Sequence, residues 1–233
     1  MACVRHVKEG VESTGLFAWL GRVGALIAFV GLFCCCALLV FCFVSGDNSI
    51  EYVVQYRSNS VDPFAWLYIL SGLWEGRQGS LLFWAALISA FAVFVVVRNR
   101  KHHSSLDDAA LVIVMLVLVA FMAALLFSPD NMPFKALPSI YLAADGSLTN
   151  GAELWSLNAL LEHWAMAVHP PALFIGYAGL TIPFAYALAA LLIGDDSDAW
   201  VLRVNGIASF AWLFLGIGIG LGSVWAYVVL GWG

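Results

Sequence analysis

The chain has 233 residues, 63% of them hydrophobic and only 11% charged, well above the roughly 45–50% apolar usage of soluble domains. Its net charge is -5, with acidic residues scattered rather than clustered, so no nucleic-acid or phosphate-binding patch follows. This balance excludes a soluble globular enzyme and leaves an integral membrane protein.

A helix crosses the bilayer with about 20 predominantly apolar residues, because the hydrocarbon core is about 30 Å thick and a helix rises about 1.5 Å per residue. The first such stretch is 17 to 44, interrupted only by Arg22 near its start, where a long side chain can reach the headgroups. Its core is too long for a cleaved signal peptide, and no small-residue cleavage pattern follows it. Cys34, Cys35 and Cys36 are consecutive there and point in different directions, Cys42 lies further along and Cys3 precedes the span. With no CxxC pair they read as packing residues. The piece 63 to 74 is too short to cross, and Trp66, Tyr68 and Trp74 suit a headgroup-level or re-entrant segment.

Stretches 80 to 97 and 109 to 127 carry no Asp, Glu, Lys or Arg. Between 154 and 168, Leu154, Leu157, Leu161, Trp164 and Val168 recur at three- and four-residue spacing, which predicts an amphipathic helix lying on the membrane surface. The fourth span, 170 to 193, opens on Pro170 and Pro171, which fit a first helical turn, and contains Pro183, which should kink it. The fifth, 204 to 230, carries Gly216, Gly218, Gly220 and Gly222 as two overlapping GxxxG spacings, a helix-packing signal.

Backbone groups in lipid must be satisfied internally, so these stretches are helices, and their unbroken hydrophobicity excludes barrel strands. The expected fold is an all-α polytopic membrane protein: one membrane domain over 1–233, a bundle of five transmembrane helices with an outer-face amphipathic helix. Cytoplasmic loops retain Lys and Arg. An inside N-terminus puts Arg5, Lys8, Arg22, Arg98, Arg100, Lys101 and Arg203 in the cytoplasm and leaves Arg57, Arg77 and Lys135 outside. "RNRK" at 98 to 101 is the most decisive element. Segments 45–79 and 128–169 and the C-terminus then face outward.

No Walker loop, GxSxG elbow or HExxH is present, and no catalytic residue is identified. One imidazole stands out in "EHWAMAVHPPALFIGYAGL", residues 162 to 180: His169, at the outer border of the fourth span. It reads either as a helix-capping or headgroup-anchoring residue, or as an axial ligand to heme iron. Trp225, Tyr227 and Trp232, expected at the same depth, would then supply aromatic walls. Spacing alone leaves both readings open.

The string "NALLEHWAMAVHPPALFIGYAGLTIPFAYALAALL" (158 to 192) resembles a segment of the CcmF heme lyase family, which belongs with CcmC and CcsA among heme-handling proteins. "YVVQYRSNS" (52 to 60), "WEGRQGSLLFW" (74 to 84), "SPDNMPF" (128 to 134) and "GIGIGLGSVWAYVVLGWG" (216 to 233) are similar to that family's blocks in the same order. The resemblance covers roughly residue 20 to the end and matches the front of a longer protein. It implies a role in cytochrome c maturation, with His169 as an outer-face axial ligand for heme in transit to an apocytochrome. Trp225, Tyr227 and Trp232 would lie at the edge of a Trp-rich platform.

It also implies partners: the remaining part of a split CcmF, the heme chaperone CcmE, a CcmH-type thiol protein and apocytochrome c, in a bacterial cytoplasmic (inner) membrane. The chain departs from the family by stopping before the Trp-rich (WWD) segment and by lacking the other ligand histidines. It also has Val229 and Gln78 where Glu is frequent and Ala159 where Pro is usual. The second axial ligand then comes from another chain or from His163. A helix through both would set His163 and His169 about 120° apart in projection, which makes His163 the weaker choice. His6, His102 and His103 read as cytoplasmic loop residues. The expected function is therefore a partial or split heme lyase. The alternatives are a transporter or channel subunit, or a truncated relic. A lack of intramembrane charge beyond Arg22 argues against an ion path.

Overall fold

The computed structural model describes residues 15–100 and 104–232, with side chains described from residue 19 within the first helix. Cys3, Arg5, His6, Lys8, Lys101, His102 and His103 lie outside the described residues. The chain forms helices α1 (Gly15–Ser45), α2 (Glu51–Tyr56), α3 (Ala65–Glu75), α4 (Arg77–Asn99), α5 (Ser105–Leu126), α6 (Trp164–Ile193) and α7 (Ala199–Leu230). Five of them are long and apolar enough to cross a membrane: Trp19–Ser45, Arg77–Asn99, Ser105–Leu126, Trp164–Ile193 and Ala199–Leu230. The protein is an all-α polytopic membrane protein. Successive crossings put 46–76, 127–163 and the end of α7 on one face, here the loop face. Arg100, Ser104 and residues 194–198 lie on the other.

Each long helix extends beyond the apolar core that marks it, and three departures from the sequence expectations follow. The fourth crossing begins at Trp164 rather than at Pro170, because His163 caps it: its Nδ1 accepts the Ala165 N–H at 3.3 Å. Pro170 and Pro171 therefore stand inside the helix, where they cannot donate to the carbonyls of Met166 and Ala167. His169 is an intrahelical residue and not the cap neighbour that the proline pair suggests.

The second departure concerns 154 to 168, which does not form a surface helix. It holds 3-10 turns at Ala152–Leu154 and Ala159–Leu161 before α6 starts. The Leu157 N–H bonds the Arg57 carbonyl at 3.0 Å, and the Asn158 side chain accepts the Leu160 N–H at 3.0 Å. These bonds interrupt any helical ladder. Leu157 is buried with Tyr68 and Ala167, whereas Leu154 is 82% exposed. The short amphipathic helix on this face is instead α3, within the piece read as too short to cross. It buries Tyr68, Ser71, Gly72 and Leu73 and leaves Trp66 exposed.

The third departure is that charge does enter the helix ends. Asp107, on α5, is 6% exposed and accepts from Arg203 Nη1 of α7 at 2.8 and 2.9 Å, from the Tyr186 hydroxyl of α6 at 2.6 Å and from Asn99 Nδ2 of α4 at 2.8 Å. The Ser104 N–H and hydroxyl also donate to it, at 2.9 and 2.8 Å, which caps α5. Arg22 reaches Asp108 at 3.5 Å. Five helices, α1 and α4 to α7, are thus tied together at the end opposite the loop face.

The glycine pattern divides by face. A Cβ on Gly218 would meet the Leu173 side chain at 2.6 Å, and one on Gly222 would meet the His169 ring at 2.6 Å, whereas Gly216 and Gly220 face open space. One of the two GxxxG spacings therefore lets α7 lie close to α6, where a Cβ on Gly179 would meet Ala211 at 2.8 Å.

Candidate functional site

His169 sits on α6 near the loop face, half-buried, with its ring laid on the backbone of α7. Its Nδ1 is 2.6 Å from the Gly218 carbonyl oxygen. A carbonyl can only accept, so Nδ1 carries the hydrogen, and in the neutral ring that tautomer leaves the lone pair on Nε2. Gly222 lies directly beneath: any Cβ there would stand 2.6 Å from Cε1 and 2.8 Å from Nδ1. One turn further along α6, Leu173 fills the space over Gly218. The ring's position is therefore set from two sides, by an acceptor and by missing side-chain volume.

Trp225 follows Gly222 by three residues and shares its face of α7. Its Nε1–H donates to the Leu160 carbonyl at 3.0 Å, tying the 3-10 turn of the loop face to the end of α7. Tyr227 is rotated about 140° from Gly222 around the helix and is 68% exposed. Trp232 lies beyond Gly231, whose left-handed φ of 68° ends the helix, and is 70% exposed. Of the three aromatics, only Trp225 is brought to the His169 side. His163 spends its Nδ1 on the α6 cap and lies about 9 Å of helix rise from His169. Among the described residues, no group of three or more His, Cys, Asp or Glu side chains is placed to hold a metal ion.

A second construction supports this face. The Tyr52 hydroxyl donates to the Gly72 carbonyl at 2.9 Å and accepts the Gly76 N–H at 3.0 Å, bracing the turn from α3 to α4. Gly76 is pressed between the rings of Tyr52 and Tyr56, where a Cβ would come within 2.5 Å. Beside it, burial pushes the Glu75 carboxyl up to about 7, partly offset by a hydrogen bond from Ser71. From there Trp74, Phe83, Phe174 and Trp84 run ring to ring, at 5.5, 6.0 and 5.8 Å, joining α3, α4 and α6. Neither construction is visible as a motif. Tyr52 and Gly76 are 24 positions apart, and His169 and Gly218 are 49 apart.

A family model described as cytochrome c assembly protein matches residues 74–233. The chain belongs to the cytochrome c assembly protein family. Within it the chain is similar to "Cytochrome c-type biogenesis protein CcmF" of Pseudomonas fluorescens, 37% identical over 196 residues that make 84% of this chain and 27% of that one. The protein of the same name from Escherichia coli (strain K12) is 33% identical over 224 residues, 96% of this chain and 31% of the relative. A solved structure titled "Cytochrome c Heme Lyase CcmF" superposes with a TM-score of 0.74 at 26% identity, over 95% of this chain and 32% of that one. This CcmF-type chain thus spans about a third or less of the length of these relatives. The matched range takes in α4 to α7, and so includes His169, Gly218, Gly222 and Trp225.

Proposed function

We propose that this CcmF-type chain holds heme at the outer membrane face for attachment to an apocytochrome c, as one part of a split or partial heme lyase. The observation that carries the reading is the His169 Nδ1 contact to the Gly218 carbonyl at 2.6 Å. A hydrogen bond from the far ring nitrogen fixes the tautomer and raises the basicity of the ligating one, as second-sphere partners of metal-bound histidines do. The donor fits heme iron: a neutral imidazole with a free Nε2, seated on a glycine, with an indole one turn away. When bound, heme would supply the reactive vinyl groups and the apocytochrome the thiols. This chain's share is to present one axial nitrogen, hold its ring against rotation, and keep Trp225 and the Leu160 turn beside it.

One axial position is filled in this way. The second falls to the remaining portion of a CcmF-type lyase, since His163 is committed to its cap. CcmE as heme donor, a CcmH-type thiol protein and apocytochrome c complete the expected partners. The protein lies in the bacterial cytoplasmic membrane with its arginine-rich hairpin inside and the loop face outside, which follows the distribution of Lys and Arg.

Co-expression with the missing portion of a CcmF relative, followed by purification and absorbance spectroscopy, tests the reading. The wild-type pair should carry a Soret band that the His169→Ala pair lacks. A His169→Ala pair with the full band would remove the ligand assignment. A wild-type pair that associates without any band would remove the heme reading altogether.

A further inference from the structure

A groove of about 620 Å³ opens between α4 and α7 with Ile175 of α6 at its floor. It is separate from His169 and owes nothing to the heme reading. Its α4 wall is a single stripe, Leu87, Phe91, Phe94 and Arg98, at helical spacing. That stripe runs from Leu87 to Arg98, about 16 Å of helix. The α7 wall is Gly206, Ile207 and Phe210. Gly206 has nothing within 4 Å of where a Cβ would stand, and Phe210 meets Phe91 edge-on at 6.3 Å. Phe94 is 52% exposed. The groove is thus a long apolar trough that runs down a membrane-spanning helix and ends at one guanidinium.

That guanidinium is the telling feature. Arg22, Arg203 and Lys135 each pair with a carboxylate, Asp108, Asp107 and Glu51 respectively. Arg98 is exposed and pairs with no carboxylate among the described residues, although it caps an otherwise apolar trough. Its neighbour Arg100 is exposed on the same side. A transmembrane helix docking here would cover the trough and leave Arg98 to water unless it brought an acid of its own. A membrane phospholipid carries both required parts, an alkyl chain for the trough and a phosphate for the cation, and basic pockets between transmembrane helices select anionic headgroups.

We propose that the α4–α7 groove is a seat for an anionic phospholipid, with one acyl chain along Phe91, Phe94 and Phe210 and the phosphate on Arg98. The full chain, purified in detergent, is loaded with phosphatidylglycerol or with phosphatidylcholine of the same acyl chains, and retained lipid is counted by native mass spectrometry. Wild type should retain phosphatidylglycerol over phosphatidylcholine by about five-fold, the contribution of one basic side chain facing a net anionic headgroup in place of a zwitterionic one. Arg98→Gln should bring the ratio to about one. Gly206→Trp, which fills the trough and leaves Arg98 in place, should lower retention of both lipids. Absence of a preference in wild type, or a preference unchanged by Arg98→Gln, overturns the proposal. Replacing Phe94 with a benzophenone amino acid and irradiating in lipid vesicles distinguishes the occupant. A lipid-mass adduct is expected, and a cross-link to a second polypeptide would instead make the groove a protein interface.

Discussion

The His169 ring is held by two features that can be removed separately, and that makes its role testable one atom at a time. Gly222→Ala places a methyl group 2.6 Å from Cε1, so the ring must swing away from the Gly218 carbonyl. Its nearest atoms belong to a ring attached by two torsions, so the helix can survive the change while the ligand geometry does not. Heme occupancy in the complemented pair should fall several-fold with helicity unchanged, as read by the Soret-to-protein ratio and circular dichroism. Glu75 gives a second residue-level test. Its carboxyl is pushed up to about 7 by burial, so below its ordinary value near 4.5 it is neutral in both folded and unfolded chains and costs nothing. Between those two values only the unfolded chain releases the proton, so stability falls as pH rises, and above about 7 the whole cost stands. Glu75→Gln should therefore leave the melting temperature at pH 4 unchanged and raise it at pH 8, by on the order of 1–3 kcal/mol of stability. His169 itself was legible as an unusual residue in the sequence. Its partner was not, because Gly218 acts through a backbone oxygen that any residue carries.

At the scale of the element, the five crossings were legible because hydropathy over some 20 residues depends on no tertiary partner. Their ends were not. The prolines at 170 and 171 carry a strong helix-start signal, yet a histidine cap seven residues earlier outweighs it. The three- and four-residue leucine spacing before it looked helical, but the Arg57 carbonyl just past α2 and the Asn158 side chain take up donors that a helix would need. The GxxxG signal was right for α7 as a whole and could not say which of two overlapping pairs packs. Gly218→Val drives a side chain into Leu173, its backbone nitrogen included, and should cost about 1–3 kcal/mol as overpacking. Gly216→Val enters open space and should leave the melting temperature near that of wild type. Equal losses from both would mean that α7 does not present the 218–222 face to α6.

Across the whole molecule, the two ends are built differently. The loop face is assembled from short elements pinned by backbone bonds and buried tyrosines, and it carries the imidazole. The opposite end is locked by Asp107, which gathers groups from α4, α6 and α7 that lie up to 96 positions away in sequence. Reading the stretches one by one found no charge beyond Arg22 because Asp107 and Arg203 lie just outside the apolar cores 109 to 127 and 204 to 230, in the helix ends that extend past them. Removing the acid takes the shared acceptor from Arg203, Tyr186 and Asn99 together, so Asp107→Ala should cost on the order of 3–5 kcal/mol, seen as a lower melting temperature in detergent. Asp107→Ala with Arg203→Leu should recover part of that loss.

The central claim is that His169 offers an open imidazole nitrogen at the loop face as an axial ligand to iron. Its most direct test is a His169→Gly chain, complemented by the missing portion of a CcmF relative and titrated with free imidazole while the Soret band is recorded. The account predicts a lost band that returns as imidazole enters the space left by the ring. A full band in the His169→Gly pair before any imidazole is added would contradict it.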